Sequence, residues 1–185
     1  MHKINLCVLI SGRGSNLLSI IKSCRKKDFP AKVKLVVSNK PNAPGLQYAK
    51  KYKIPFKVIT KNFEKNIVNN IANHSIDVIC LAGFMKILKL PWFNIILNIH
   101  PSLLPKYKGL NTHQRALNNK EKYSGCTVHY VTEKLDSGDI ILQRKVKITK
   151  NETKESLEAK ILKEEHILYP KALEITVNKI LNNII

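Results

Sequence analysis

An asparagine and a histidine stand two residues apart in Asn98-Ile99-His100, and prolines follow at 101 and 105. The apolar run at 94–97 leads into them. In a strand, side chains at i and i+2 share a face. Asn98 and His100 are therefore expected to project together from a strand end, where proline stiffens the chain. An amide donor beside an imidazole suits a carbonyl that becomes an oxyanion, because the amide can donate to the oxygen while the imidazole holds or moves a proton. The same residues also fit a strand end with a satisfied histidine and a proline-bounded loop.

Three other stretches carry chemistry-bearing residues. Ser11-Gly-Arg-Gly-Ser-Asn16 follows an apolar run and opens a helical pattern. Small residues let backbone N–H groups approach a phosphate, and a helix N-terminus favours the anion. The third glycine of a dinucleotide fingerprint is absent, as is the Gly-Lys-Ser/Thr of a P-loop, so a phosphomonoester fits better. A plain strand-to-helix turn capped by Ser15 or Asn16 fits as well. Leu135-Asp-Ser-Gly-Asp139 offers Asp136 or Asp139 as a partner for His100, or a glycine turn closed by an Asx hydrogen bond. Glu164-Glu-His166 offers an acid for a substrate amine, or a solvated helix face. His113 and His129 are isolated and read as structural. Gly83-Phe-Met-Lys-Ile-Leu88 could wall a flat aromatic ligand or pack a core.

The elements that must position these residues follow from periodicity. Near-continuous apolar runs at 3–10 and 77–82, with shorter ones at 33–37, 56–59 and 95–99, predict strands. Helical apolar spacing appears at 15–25, 45–53 and 63–74, and a short helix is expected at 112–119. A brief helix is expected to start at Pro91. Runs at 126–131 and 140–148 with no helix between them predict an antiparallel pair. A long C-terminal helix is expected from Thr153, its N-cap, with Pro170 kinking or splitting it. Strand-helix alternation in the first hundred residues predicts an α/β fold: a Rossmann-like, mostly parallel sheet flanked by helices, with antiparallel strands late in the chain and a C-terminal helix. In such sheets ligands bind at the carboxyl ends of strands, where the loops at 11–16, 83–88 and 98–110 lie.

The 185 residues are expected to form one domain, 1–185. A hydrophobic fraction of 44% suffices for a core, yet no apolar run reaches the roughly 18 residues of a membrane span. Four widely spaced cysteines with no CxxC pair predict buried thiols, no metal site and a cytoplasmic setting. The net charge of +19 is carried mostly by lysines spread along the chain, which points to a solvated basic surface with some attraction for anionic ligands and no specific nucleic acid. A basic nucleic-acid-binding module is the alternative from another class; it asks for arginine and aromatic residues clustered on one face.

Together these stretches resemble the folate-dependent glycinamide ribonucleotide formyltransferases of purine synthesis. The resemblance rests on residues 10–17, 81–88, 98–107, 135–139 and 165–170, and runs from Lys3 to about Pro170. The Asn-x-His and Leu-Asp-x-Gly pattern marks the wider formyltransferase superfamily. The opening at 11–16 and Thr112-His113 are more particular to this family. The resemblance implies an enzyme that transfers a formyl group from 10-formyltetrahydrofolate, its co-substrate, to the amine of glycinamide ribonucleotide. It implies Asn98, His100 and Asp136 as the catalytic set, with Gly14, Ser15, Asn16 and Glu165 holding the ribonucleotide. Met85, Lys86, Ile87 and Leu88, with Asn98 and the segment Thr132, Glu133, Lys134, Leu135 and Asp136, would hold the folate. It implies no metal, no membrane partner, and a monomer or homodimer. The region at 61–69 is shorter than in the family and has no arginine for the folate's glutamate tail, so a nearby lysine would have to serve. Other formyl handlers stand as alternatives. A 10-formyltetrahydrofolate deformylase would be expected to carry an extra N-terminal domain, and a methionyl-tRNA formyltransferase an extra C-terminal one.

Overall fold

The computed structural model describes residues 3–88 and 95–184. It divides into two compact units, residues 1–97 with 173–185 and residues 98–172. The expected helix at Pro91 lies outside the described residues.

In the first unit, β1 (Ile4–Ile10), β2 (Ala31–Ser38), β3 (Phe56–Val58) and β4 (Val78–Leu81) pair in parallel. After Asn5, β1 is buried on both faces, as its apolar run demands, and Leu6 to Ile10 are fully inaccessible. Helices α1 (Ser15–Cys24), α2 (Leu46–Lys51) and α3 (Phe63–Asn73) connect or follow these strands. α1 buries Leu17, Ile20, Ile21 and Cys24, and α3 buries Phe63, Ile67 and Ile71, each the inward stripe of a helix. The strand order β3-β2-β1-β4 leads on to β5 (Ile96–His100), which begins in this unit and ends in the second. The order reverses beside β1, and there the loops after β1 and β4 meet. The Ser11 amide donates to the Gly83 carbonyl at 3.2 Å, and Ser11 Oγ accepts from the Met85 amide at 2.9 Å.

In the second unit the sheet continues from β5 through β6 (Tyr123–Tyr130) to β7 (Ile140–Lys147), and β6 and β7 are antiparallel. β6 starts three residues before its expected boundary. The short helix α4 spans Thr112–Asn118. The C-terminal helix α5 spans Lys154–Leu181. Its start is capped reciprocally: the Ser156 amide donates to Thr153 Oγ1 at 3.1 Å, and the Thr153 amide to Ser156 Oγ at 3.0 Å. Of the two outcomes expected at Pro170, a kink or a split, the split does not occur. α5 runs through it as one element, with Leu168, Tyr169, Ala172 and Leu173 buried on both sides, so burial outweighs the single backbone hydrogen bond that proline removes.

Candidate active site

β5 ends on the chemistry-bearing pair. Asn98 is half-buried and His100 is buried. After His100 the chain turns through Pro101 to Gly109 and brings backbone back over the ring. His100 Nε2 lies 2.8 Å from the Tyr107 carbonyl oxygen, an acceptor. Its Nδ1 lies 3.3 Å from Asp136 Oδ2. A neutral imidazole has one N–H and cannot donate to both. Two acceptors would suit a doubly protonated ring, but burial outweighs them and holds the His100 pKa below its ordinary value, with the Tyr107 carbonyl and the Asp136 charge acting in the opposite direction.

Asp136 sits in the turn after β6 with φ of 46°, a left-handed conformation that aspartate tolerates better than most residues. Its Oδ2 accepts from the Gly109 amide at 2.8 Å, and its Oδ1 lies 3.5 Å from Asn98 Nδ2. Burial works to raise its pKa. The hydrogen bond to His129, the Gly109 amide and the two histidine charges outweigh that and hold the carboxyl below the ordinary aspartate range. Asp139 is exposed, and its backbone carbonyl accepts from the Tyr130 amide. Of the two aspartates open on sequence grounds, the structure thus brings Asp136 to the pair.

His129, isolated in the sequence and expected to be structural, also belongs here. It is buried, its Nε2 lies 3.3 Å from Asn98 Nδ2 and 3.6 Å from Asp136 Oδ1, and its Nδ1 lies 2.8 Å from the Tyr130 carbonyl oxygen. Asp136 is therefore flanked by two histidines. The register of β6 against β7 slips between Val128 and His129, and such irregularities re-aim side chains. One signal was legible: Thr127 and His129 are polar residues two apart in a buried strand. His113, on α4, is half-buried, and its buried Nδ1 has no hydrogen-bond partner. Burial lowers its pKa, and the nearby His100 charge adds to that. Among the described residues no three histidine, cysteine, aspartate or glutamate side chains converge to hold a metal ion.

The remaining expected residues fall as follows. Thr132 to Leu135 form an exposed segment ahead of buried Asp136. Glu165 lies on the buried side of α5, and its charge helps raise the Cys126 thiol to about 12, behind the larger effect of burial. Neighbouring Glu164 is instead tied to Arg144 at 2.8 Å, outside the site. In the first unit, Met85 and Ile87 are 67% and 68% exposed, and Lys86 is exposed between them. Lys86 Nζ stands 5.5 Å from the Phe63 ring, which in turn packs against Phe84 at 5.1 Å. Gly14 precedes α1 with φ of 74°, and Ser15 and Asn16 open that helix.

A half-buried amide beside a histidine–aspartate–histidine set can donate to a developing oxyanion and hold a proton nearby. The formyl transferase family model matches residues 4–173. A phosphoribosylglycinamide formyltransferase of Haemophilus influenzae is 45% identical over 181 residues, covering 91% of this chain and 85% of that protein. The human trifunctional purine biosynthetic protein adenosine-3 is 41% identical across 95% of this chain, which spans only 18% of that protein's length. Among solved structures, the phosphoribosylglycinamide formyltransferase of Anaplasma phagocytophilum superposes with a TM-score of 0.91 at 40% identity, covering 95% of this chain and 87% of that one.

Proposed function

The chain belongs to the formyl transferase family, and from that premise we propose that it transfers a formyl group from 10-formyltetrahydrofolate to the amine of glycinamide ribonucleotide in purine biosynthesis. The observation that carries this reading is the meeting of Asn98, His100 and Asp136 within hydrogen-bond and ion-pair distance. In this reading the substrate amine attacks the formyl carbon, and the carbonyl oxygen gains negative charge. The Asn98 amide donates to that oxygen. His100 adds positive charge beside it. Asp136 holds the imidazolium and, through water, helps take the proton that the amine loses and return one to the departing folate nitrogen. Gly14, Ser15 and Asn16 would hold the ribonucleotide phosphate at the start of α1, and Glu165 its glycinamide portion. The exposed apolar side chains of Met85 and Ile87, with Lys86, Leu88 and the segment 132–136, would contact the folate. A cytoplasmic location goes with this reading.

The test is kcat for purified, folded variants with both substrates saturating. Asn98→Ala should cost about 10²–10³, the loss of one oxyanion donor. His100→Ala should cost about 10²–10⁴. The triple variant with Asp136→Asn should lose far less than the product of the single losses, because the three act as a unit. A His100→Ala enzyme that keeps more than about a tenth of kcat contradicts the assignment.

A further inference from the structure

The basic residues of the first unit are unevenly placed, and ten of them fall in two short stretches. Residues 22–34 hold six basic side chains against Asp28 alone, and residues 50–57 hold four lysines and no acid. These segments are the end of α1, the start of β2, and the end of α2 with the turn into β3. Since β1, β2 and β3 are parallel and adjacent in order, their right-handed crossovers set α1 and α2 on one face, with both helix ends at the amino end of the sheet. The basic segments therefore share one pole, opposite the loops at 11–16 and 83–88. The two helix ends do meet there: the Arg25 guanidinium lies 5.5 Å from the Tyr52 ring centroid. Lys50 Nζ lies 5.8 Å from the Phe56 ring. Arg25, Lys51 and Lys53 are exposed around the half-buried Tyr52.

One cation per helix end would satisfy the helix dipole. This pole carries several more than that, and their mutual repulsion asks for a polyanion. Phosphate charge alone would serve a membrane or a nucleic acid equally. The planar guanidinium held over an aromatic ring, with a second cation–ring pair beside it, favours bases that can stack.

We propose that the amino-end pole of the first unit is a sequence-tolerant binding surface for single-stranded RNA, centred on Arg25, Tyr52, Lys51 and Lys53 and separate from the formyl-transfer chemistry. The test is fluorescence anisotropy with a labelled oligouridine across a salt series, using the full chain. Wild type should bind with Kd on the order of 10⁻⁵–10⁻⁶ M at low salt. The variant R25E/K51E/K53E should bind at least about tenfold more weakly and flatten the salt dependence by about 2 logarithmic units per unit of log salt. A variant with equal change of net charge in the second unit, K120E/K122E/K150E, should stay within about threefold of wild type. Arg25→Lys, which keeps the charge but loses the stacking plane, should weaken binding about threefold or more. Unchanged formyl transfer in each variant shows that it is folded. Equal weakening by the two triple variants, no effect of Arg25→Lys, or pole-dependent binding to phosphatidylserine vesicles without RNA binding would each overturn the proposal.

Discussion

At the scale of single residues, the arrangement makes Asp136 the controller of His100. The Asp136 carboxylate opposes the burial that lowers the His100 pKa. Replacing it by asparagine removes that opposition, so His100 should lose its proton at lower pH. If the imidazolium is the active form, the fall of kcat on the alkaline side should move to lower pH in Asp136→Asn, besides a drop in kcat itself. A pH–rate profile measured on both enzymes checks this, and an unmoved alkaline limb would mean that His100 is not the group that titrates. His129 touches Asp136 and Asn98 without being placed on substrate. His129→Asn should therefore lower kcat about tenfold or more while leaving both KM values close to wild type, the signature of a positioning residue. Asn98 and His100 could be read from sequence because strand alternation alone places them together. Asp136 needed the resemblance, since a Leu-Asp-Ser-Gly-Asp turn has two aspartates and no period to choose between them. His129 escaped because a slipped strand register leaves little mark on composition.

At the scale of elements, two turns do the positioning. A Cβ on Gly14 would lie 2.6 Å from the Gly45 backbone, and its φ of 74° already excludes most side chains. Gly14→Ala should cost more than about 1 kcal/mol of stability, the penalty of a left-handed residue, before any effect on ligand. Denaturant unfolding measures it. Gly14 is thus a poor probe of phosphate binding, and Ser15 a better one. α1 has no acidic residue in its first turn. Ser15→Asp should leave stability unchanged or raised by about 0.3–1 kcal/mol through the helix dipole. It should raise KM for the ribonucleotide tenfold or more, since like charges about 4 Å apart near a surface repel by about 1–4 kcal/mol. KM for the folate should stay near wild type; equal changes in both would remove the phosphate from this helix end. The second turn is closed by Gly138, where a Cβ would lie 1.8 Å from the Tyr130 carbonyl oxygen. Element types were legible throughout because apolar periods of two and 3.6 are long-lived signals. What sequence could not show was that burial on both sides of Pro170 would carry α5 through it.

At the scale of the whole molecule, charge and pH set stability. His100 and His113 have lowered pKa values, so below the ordinary histidine value of 6.5 the unfolded chain takes up protons that the folded chain refuses. Stability should fall as pH drops through that window. Glu152, held at about 2 first by its Lys160 hydrogen bond and then by Ser156 and Thr149, acts in a lower window. Its contribution is present above the ordinary glutamate value of 4.5 and is lost as pH falls toward about 2. Denaturant midpoints across pH should show both losses, and Glu152→Gln should flatten the lower one alone. The net charge of +19 was legible in composition, but the gathering of ten of the basic residues, six from 22–34 and four from 50–57, at the amino end of the first unit's sheet required the strand order. The central claim, formyl transfer to glycinamide ribonucleotide, is tested most directly by incubating the wild-type chain with 10-formyltetrahydrofolate with and without the ribonucleotide, and following tetrahydrofolate, formylglycinamide ribonucleotide and formate. The account predicts tetrahydrofolate and formylated ribonucleotide in equal amounts only when the ribonucleotide is present. Tetrahydrofolate and free formate released at the same rate without it would contradict the account and mark the chain as a hydrolase.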